Sequence, residues 1–476
     1  MKCMNSDVAP AEKVVPEAPA NRLVPIPEVF QKALEAQKSG DLKRAAELYV
    51  AIVRVQPNDV GAWNNLGAIF VEDKKFQSAL KCFKNAHAQK SDSIAYGLNI
   101  VSVLISMNRL SEAQLFCEKM LEQHNNNPEI LPAYSNALRE DGHFTKALEV
   151  LDKAKEKKPD DVFIEWGRGQ NLLSMGRYDE GFKAYESRYH LGTNKITTKD
   201  FGCPRWLGVM DDLQIDIGGK TVLLHEEQGF GDTLMAARYI SLVKQKVGPQ
   251  GTVILQCKPD LIRVLRASGA DIIIGIDQTL EKNNIPRPDY HTFLMSLPGA
   301  FGTQPNTIPP PVKLHIPEAA RKKFEFIGQQ YPKDQFPNVK KVGIVWYGAD
   351  TLYNNHKRSI GLDAFLPFAE NSNIKFYSLQ KEPYLKQLYE QGAHAYIEDI
   401  GQHCVDFADT AAAIEQLDFI VMSDSSVAHL AGTMGKRIVN IVNQSPYWIY
   451  TLKKGKTPWY PSMELIRKEN LPKIFK

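Results

Sequence analysis

Three stretches of this chain carry residue types that could hold or transform a ligand. The first is His225-Glu226-Glu227-Gln228-Gly229-Phe230-Gly231-Asp232-Thr233, which follows a β-branched run and opens a helical one. Gly229 and Gly231 let a backbone approach a ligand closely. Free N–H groups at the helix start favour an anion. Asp232 stands at the lip, where a carboxylate could take a proton from a substrate hydroxyl. Asp is also a helix-capping residue, and the spacing leaves both roles open.

The second stretch is Ser423-Asp424-Ser425-Ser426-Val427-Ala428-His429-Leu430-Ala431-Gly432. Asp424, Ser425 and Ser426 crowd a helix start, where hydroxyls and free N–H groups suit a pyrophosphate. His429 falls one turn further on, as a ligand contact or a satisfied core histidine. The third is Trp346-Tyr347-Gly348-Ala349-Asp350, followed by His356-Lys357-Arg358-Ser359. Gly348 permits a tight turn at a strand end, and Lys357 and Arg358 bring cations to an anionic ligand; a solvated basic loop is the plainer alternative. Leu379-Gln380-Lys381 is a fourth, weaker strand end with polar tips.

Other motifs fail on context. Gly218-Gly219-Lys220-Thr221 precedes a strand, not a helix, and lacks the first Gly of a phosphate loop. Leu234 stands where a dinucleotide fingerprint needs its third Gly. There is no GxSxG elbow, and no residue set reads as a metal site.

These stretches need elements to position them. Leu42, Phe76, Leu110, Phe144 and Tyr178 are spaced by 34 residues, as are Ala45, Ala79, Ala113, Ala147 and Gly181. Tyr49, Phe83, Cys117, Leu151 and Tyr185 form a third column, and small residues recur in a fourth at Ala33, Gly67, Ser135 and Gly169, with Val101 the exception. A 34-residue period with these residue types resembles the tetratricopeptide repeat. It predicts five helical hairpins over 26–190, with Pro57 and Pro159 at helix ends. Residues 1–25, rich in Pro, Ala and charge, read as disordered.

Beyond 190, β-branched runs alternate with helical stretches. Strands are predicted at 221–225, 252–256, 272–274, 342–346, 376–379, 419–423 and 438–442, and helices at 233–247 and 425–434. The alternation predicts parallel βαβ sheets. The Pro-rich stretch 298–317 separates two α/β lobes, 200–315 and 338–476. The three stretches all fall at carboxyl ends of strands, where such sheets place ligands.

Composition is that of an ordinary globular chain, with a net charge of +3 and no basic–aromatic stretch for nucleic acid. Six scattered cysteines without a CxxC pair fit a reducing compartment. No apolar run approaches a membrane span, so the cytoplasm is the expected location.

Taken together, the blocks resemble bacterial proteins that join tetratricopeptide repeats to a domain similar to glycosyltransferase family 9, the heptosyltransferases. Residues 227–233 with Ala237-Arg238-Tyr239 resemble the amino-lobe block. Val342-Gly343-Ile344-Val345-Trp346 with Arg358-Ser359 resembles the start of the second lobe. Residues 424–432, preceded by Asp409-Thr410-Ala411-Ala412, resemble the donor block, and Trp459-Tyr460-Pro461 a later segment. The resemblance implies a glycosyltransferase-B (GT-B) fold of two Rossmann-like lobes. It implies a nucleotide-sugar donor held by Asp424, Ser425, Ser426, His429, Lys357, Gly348 and Gln380, with Lys357 in place of a metal. It implies Asp232 as general base, an acceptor loop of Gln228, Gly229 and Gly231, and no resident cofactor. The sugar would pass, with inversion, to a protein or glycan hydroxyl docked with help from the repeats. The alternative is a repeat scaffold with a degenerate transferase domain.

Overall fold

The computed structural model describes residues 14–17, 22–192, 201–348, 355–451 and 455–475. It divides into two compact units, Met1–Asp141 with Glu156–Lys158, and Gly142–Lys155 with Pro159–Lys476.

The first unit holds α1 (Ile26–Lys38), α2 (Leu42–Val55), α3 (Val60–Glu72), α4 (Phe76–Gln89), α5 (Ile94–Ser106), α6 (Leu110–Gln123) and α7 (Leu131–Glu140). The column residues are its core: Ala33, Ala45, Tyr49, Ala79, Ala113 and Cys117 have no exposed surface. Gly67 shows why the small column exists. A Cβ there would lie 2.6 Å from the Phe83 ring, so only Gly lets α3 and α4 close on that aromatic. Each first helix of a hairpin ends in a left-handed residue, at Gly40, Lys74, Asn108, Gly142 and Gly176, again 34 apart. In four of these turns the next residue donates to a carbonyl five back, as Lys75 does to Phe70. That pattern closes the last helical turn.

Residues 1–25 do not behave uniformly as a disordered tail. β1 (Val14–Glu17) and β2 (Arg22–Pro25) pair antiparallel, and Val24 is buried against the first hairpin. That apolar contact offsets ordering entropy in a segment whose composition argues against order. Residues 1–13 and 18–21 lie outside the described residues.

The second unit begins inside the fourth hairpin. It contains α8 (Phe144–Lys157, but for its last residues), α9 (Val162–Ser174) and α10 (Tyr178–Tyr185), so the fifth hairpin belongs with the α/β part. The first sheet comprises β3 (Thr221–His225), β4 (Thr252–Cys257), β5 (Ile272–Gly275) and β6 (Tyr290–Phe293), ordered β5-β4-β3-β6 and parallel throughout. α11 (Phe230–Ala236) and α12 (Ile240–Val247) follow β3, separated by a 3-10 turn at Ala237–Tyr239 that interrupts the single helix predicted over 233–247. α13 (Pro259–Ile262) and α14 (Leu297–Ala300) complete this lobe, and α15 (Glu318–Gln330) follows.

The second sheet contains β7 (Lys340–Val345), β8 (Ile374–Ser378), β9 (Ile397–Asp399), β10 (Phe419–Ser423), β11 (Ile438–Ile441) and β12 (Met463–Ile466). It is parallel, in the order β12-β11-β10-β7-β8-β9. Numbered from β7, this is the 3-2-1-4-5-6 order of a doubly wound sheet. Its helices are α16 (Asn355–Arg358), α17 (Lys386–Glu390), α18 (Phe407–Glu415) and α19 (Ser426–Thr433). α15 packs on α18, with Lys323 2.7 Å from Asp409 and Arg321 paired to Glu415. The carboxyl lobe therefore recruits 318–330, ahead of the boundary at 338. Leu471 and Phe475 of the chain's tail pack into this lobe beside Phe376. β6, β9 and β12 were not foreseen: each is three or four residues long, and β6 contains His291 and Thr292.

Candidate functional site

The strand orders reverse direction at two places. One lies at β3, between β4 and β6, and the other between β7 and β10. Ligands of open α/β sheets bind outside the carboxyl ends of strands at such switch points. The loop after β3 carries Gln228 and Gly229, and the first turn of α11 carries Gly231 and Asp232. The loops after β7 and β10 carry Gly348 and Asp424–Ser425.

At the second switch point the residues converge. A Cβ on Gly348 would stand 3.3 Å from the Asp424 carbonyl oxygen and 4.0 Å from the Ser425 Cβ. Arg358 reaches the same turn. Its Nη2 donates to Asp424 Oδ2 at 2.6 Å and to the Asp424 carbonyl at 3.1 Å. Asp424 raises the guanidinium pKa further, so Arg358 stays charged. The Tyr450 hydroxyl donates to Asp424 Oδ1 at 3.2 Å. Burial, then Asp424, holds that phenol well above its usual pKa. Asp424 is thus the anchor of a cation rather than a free carboxylate. Ser425 precedes α19 at its N-cap without bonding the helix, and Ser426 begins the helix. Ser425 Oγ and Arg358 Nε are both buried without a hydrogen-bond partner among the described residues. One donor lies in the turn after β10 and the other on the α16 side chain that reaches it, so both are open at the same switch point.

Two of the expected donor contacts have other work. Gln380 is buried, and its Oε1 accepts the N–H groups of Trp346 and Tyr347, at 3.1 and 2.9 Å, while Nε2 donates to the Lys381 carbonyl. It ties the ends of β7 and β8 together. His429 is buried, with Nδ1 3.1 Å from the Tyr460 hydroxyl. Its ring faces Gly231, where a Cβ would lie 2.6 Å from Cδ2. His429 therefore packs the carboxyl lobe onto the amino lobe. Burial lowers its pKa against the pull of Asp424 and Asp232. The Lys357 side chain lies outside the described residues.

At the first switch point Asp232 does cap α11. Its Oδ2 accepts the Gly229 N–H at 3.0 Å. Its Oδ1 accepts the hydroxyl of Tyr447, from the carboxyl lobe, at 2.9 Å. Gln228 donates to the Tyr185 hydroxyl of α10 at 3.0 Å, and its carbonyl takes Lys258 Nζ at 2.8 Å. The two switch points thus face each other through Gly231–His429 and Asp232–Tyr447. Arg238, from the amino-lobe block, donates to the carbonyls of Met235, Pro309 and Trp459. It fastens this lobe to the segment around Trp459.

Sequence reasoning missed a buried ionic cluster behind the loop. Arg188, just after α10, pairs with Glu227 at 2.9 Å, and both side chains are 1% exposed. Glu186 and Ser296 complete it. Burial works against the Arg188 charge, yet Glu227, Tyr189 and Glu186 keep its pKa well above the usual value. Burial raises the Glu227 carboxyl. Tyr447 and Tyr450 were missed as well, because Tyr447-Trp448-Ile449-Tyr450 reads as a plain apolar run. The five cysteines among the described residues are free thiols. Among the described residues no group of three or more His, Cys, Asp or Glu side chains could hold a metal, and no helix is long and apolar enough to cross a membrane.

Tetratricopeptide repeat models match residues 30–93 and 104–166, so the helical array consists of such repeats. Among curated proteins, Protein FlbA of Caulobacter vibrioides is 22% identical over 443 residues, covering 88% of this chain and 71% of its own. Human Protein O-mannosyl-transferase TMTC3 is 23% identical over 175 residues, 33% of this chain. The match spans 19% of TMTC3's length. Among solved structures, MamA gives a TM-score of 0.30 at 16% identity, over 35% of this chain and 90% of that one. YrrB, described as a TPR protein with an unusual peptide-binding site, gives 0.28 at 14%, over 35% and 86%.

Proposed function

We propose that the α/β part of this chain is a glycosyltransferase of the GT-B type, using a nucleotide-sugar donor and a hydroxyl acceptor on a protein or glycan. The observation that carries this reading is the pair of open donors, Ser425 Oγ and Arg358 Nε, buried at the β7/β10 switch point. Burying unpaired donors is costly unless a ligand answers them. Beside a helix start, a cation and a hydroxyl fit a diphosphate. The facing switch points and the partial similarity to TMTC3, itself named a transferase, agree with it at a coarser level.

In this reading Asp232 takes the proton of the acceptor hydroxyl. The acceptor oxygen bonds to the anomeric carbon from the side opposite the nucleotide. The bond from that carbon to the diphosphate oxygen breaks, and the electron pair leaves with the diphosphate. Arg358, Ser425 and the start of α19 stabilise the charge that develops there. Gly348 leaves room for the phosphates, Ser426 adds a second hydroxyl, and Gln228, Gly229 and Gly231 shape the acceptor side. Asp424 holds Arg358. Gln380 and His429 keep the strand ends and the two lobes in place. The repeats dock the acceptor.

Ser425→Ala tests the reading. Its hydroxyl has no partner among the described residues, so thermal stability should stay level or rise. Binding of one nucleotide sugar from a uridine, guanosine, adenosine and cytidine panel should weaken about five- to tenfold, for one lost hydrogen bond of about 1 kcal/mol. Calorimetry that detects no binding of any panel member to the unaltered chain would overturn the enzyme reading. It would favour the scaffold alternative, which the structural bond already made by each Asp232 oxygen also fits.

A further inference from the structure

One short segment of the carboxyl lobe bonds to a carboxylate at each of the two switch points. Tyr447 donates its hydroxyl to Asp232 Oδ1 at 2.9 Å. Tyr450, one helical turn on, donates to Asp424 Oδ1 at 3.2 Å. Between them the Trp448 ring stands edge-on to Tyr178 and Phe182 of α10, at 5.6 and 5.7 Å, and to Trp459 at 5.3 Å. Thr451 Oγ1 donates to the Ser174 carbonyl at the end of α9, at 2.6 Å. Residues 447–451 thus join the candidate base, the anchor of the candidate phosphate site and the fifth repeat.

The geometry at Asp232 gives this segment a task. Oδ2 is committed to the Gly229 N–H that caps α11. Each carboxylate oxygen has two lone pairs, and those of Oδ1 are shared between Tyr447 and any acceptor hydroxyl that meets it there. Tyr447 takes one, which fixes the rotation of the carboxylate and aims the other lone pair. Burial, then the adjacent Asp232, holds the Tyr447 phenol well above its usual pKa, so it remains a donor while Asp232 cycles its proton. Trp448 is the staple. Three aromatic faces hold the ring that precedes Tyr450 and follows Tyr447, so neither hydroxyl can swing away without opening that cluster.

We infer that Tyr447 is a positioning residue for proton transfer by Asp232, held in place by the fifth repeat through Trp448. The inference rests on the transferase reading above, and binding and turnover separate the two. The measurement is turnover of the bound nucleotide sugar, with water or an added hydroxyl compound as acceptor, beside calorimetric Kd for the same donor. Tyr447→Phe keeps the ring and removes the hydroxyl. Its turnover should fall roughly 10- to 100-fold, part of the 10²–10⁴ that a positioned base contributes. Donor Kd should stay within about twofold, and melting temperature should hold. Trp448→Leu, which keeps the Tyr447 hydroxyl but loosens its mount, should lower turnover in the same direction. Turnover of Tyr447→Phe within about twofold of the unaltered chain would overturn the inference and leave the transferase reading standing. An unaltered chain that binds a donor but never turns it over would remove the base role and this inference with it. A chain that binds no donor would remove both.

Discussion

At the residue scale, the candidate site depends on polar groups whose partners decide their roles. Asp424 and Arg358 form one unit, so the positive charge at the β7/β10 switch point comes from a guanidinium fixed by a carboxylate and by Tyr450. His429 is a neutral ring in a closed interface. Its folded pKa is depressed, first by burial, with Arg358 and Arg238 adding to the effect. The unfolded imidazole takes up a proton below about pH 6.5, and the folded one resists it. The stability this contributes is therefore full above about pH 6.5 and is lost as pH falls toward the folded pKa. The urea midpoint should drop between about pH 7 and 5, and less steeply in His429→Gln. His87, whose pKa is lowered by burial and by His124, titrates in the same direction. Equal slopes in the two proteins would assign the effect to residues other than His429.

At the element scale, the repeats depend on a turn that recurs as strictly as the core columns. Gly occupies the left-handed position in three of the five turns, Asn108 in one, and Lys74 in the remaining one with φ 57°. Lys lacks the short polar side chain with which Asn bonds its own backbone there, and a non-Gly residue in that region costs about 1–2 kcal/mol. Lys74→Gly should raise the stability of the repeat unit by about 1 kcal/mol in chemical denaturation, reduced by the extra freedom of Gly in the unfolded chain. A destabilised variant would mean that the Lys74 side chain holds the turn through its contacts. The same scale explains Gly169. A Cβ there would lie 2.7 Å from the backbone nitrogen of Tyr185, so α9 and α10 meet backbone to backbone. That closeness brings Tyr185 to Gln228.

At the scale of the second unit, the fifth repeat is a wall of the α/β part rather than a neighbour. Arg188 and Glu227 make the junction ionic and dry. Removing one partner strands the other in the interior, so Arg188→Met should cost about 3–5 kcal/mol. Arg188→Met combined with Glu227→Met should recover most of that loss, because Glu186 keeps its pair with Arg205 and no other charge is stranded. A double variant as unstable as the single one would show that Glu186, Tyr189 and Ser296 need the guanidinium more than Glu227 does. This junction also moves the structural boundary. The 34-residue period runs unbroken to Tyr185, yet the compact unit begins at Gly142.

The sequence by itself determined the elements whose signal is local. A helical hairpin must bury a fixed set of positions, so its columns repeat and can be counted. Parallel strands buried on both faces, such as β3, β4, β7 and β10, read as β-branched runs, and the turns after them showed their Gly, Ser and Asp. The short strands β6, β9 and β12 left too few residues for a pattern. What only the tertiary structure decided was which groups answer one another. Asp232 meets Tyr447, 215 residues away. Arg358 meets Asp424, 66 away, and Arg188 meets Glu227 across 39. Hydrogen bonds and ion pairs depend on distance and angle in space, and no spacing along the chain records which strand order will bring two side chains together. Asp232 could be read from the sequence as cap or base, but the Tyr447 hydroxyl that holds its carboxylate could not.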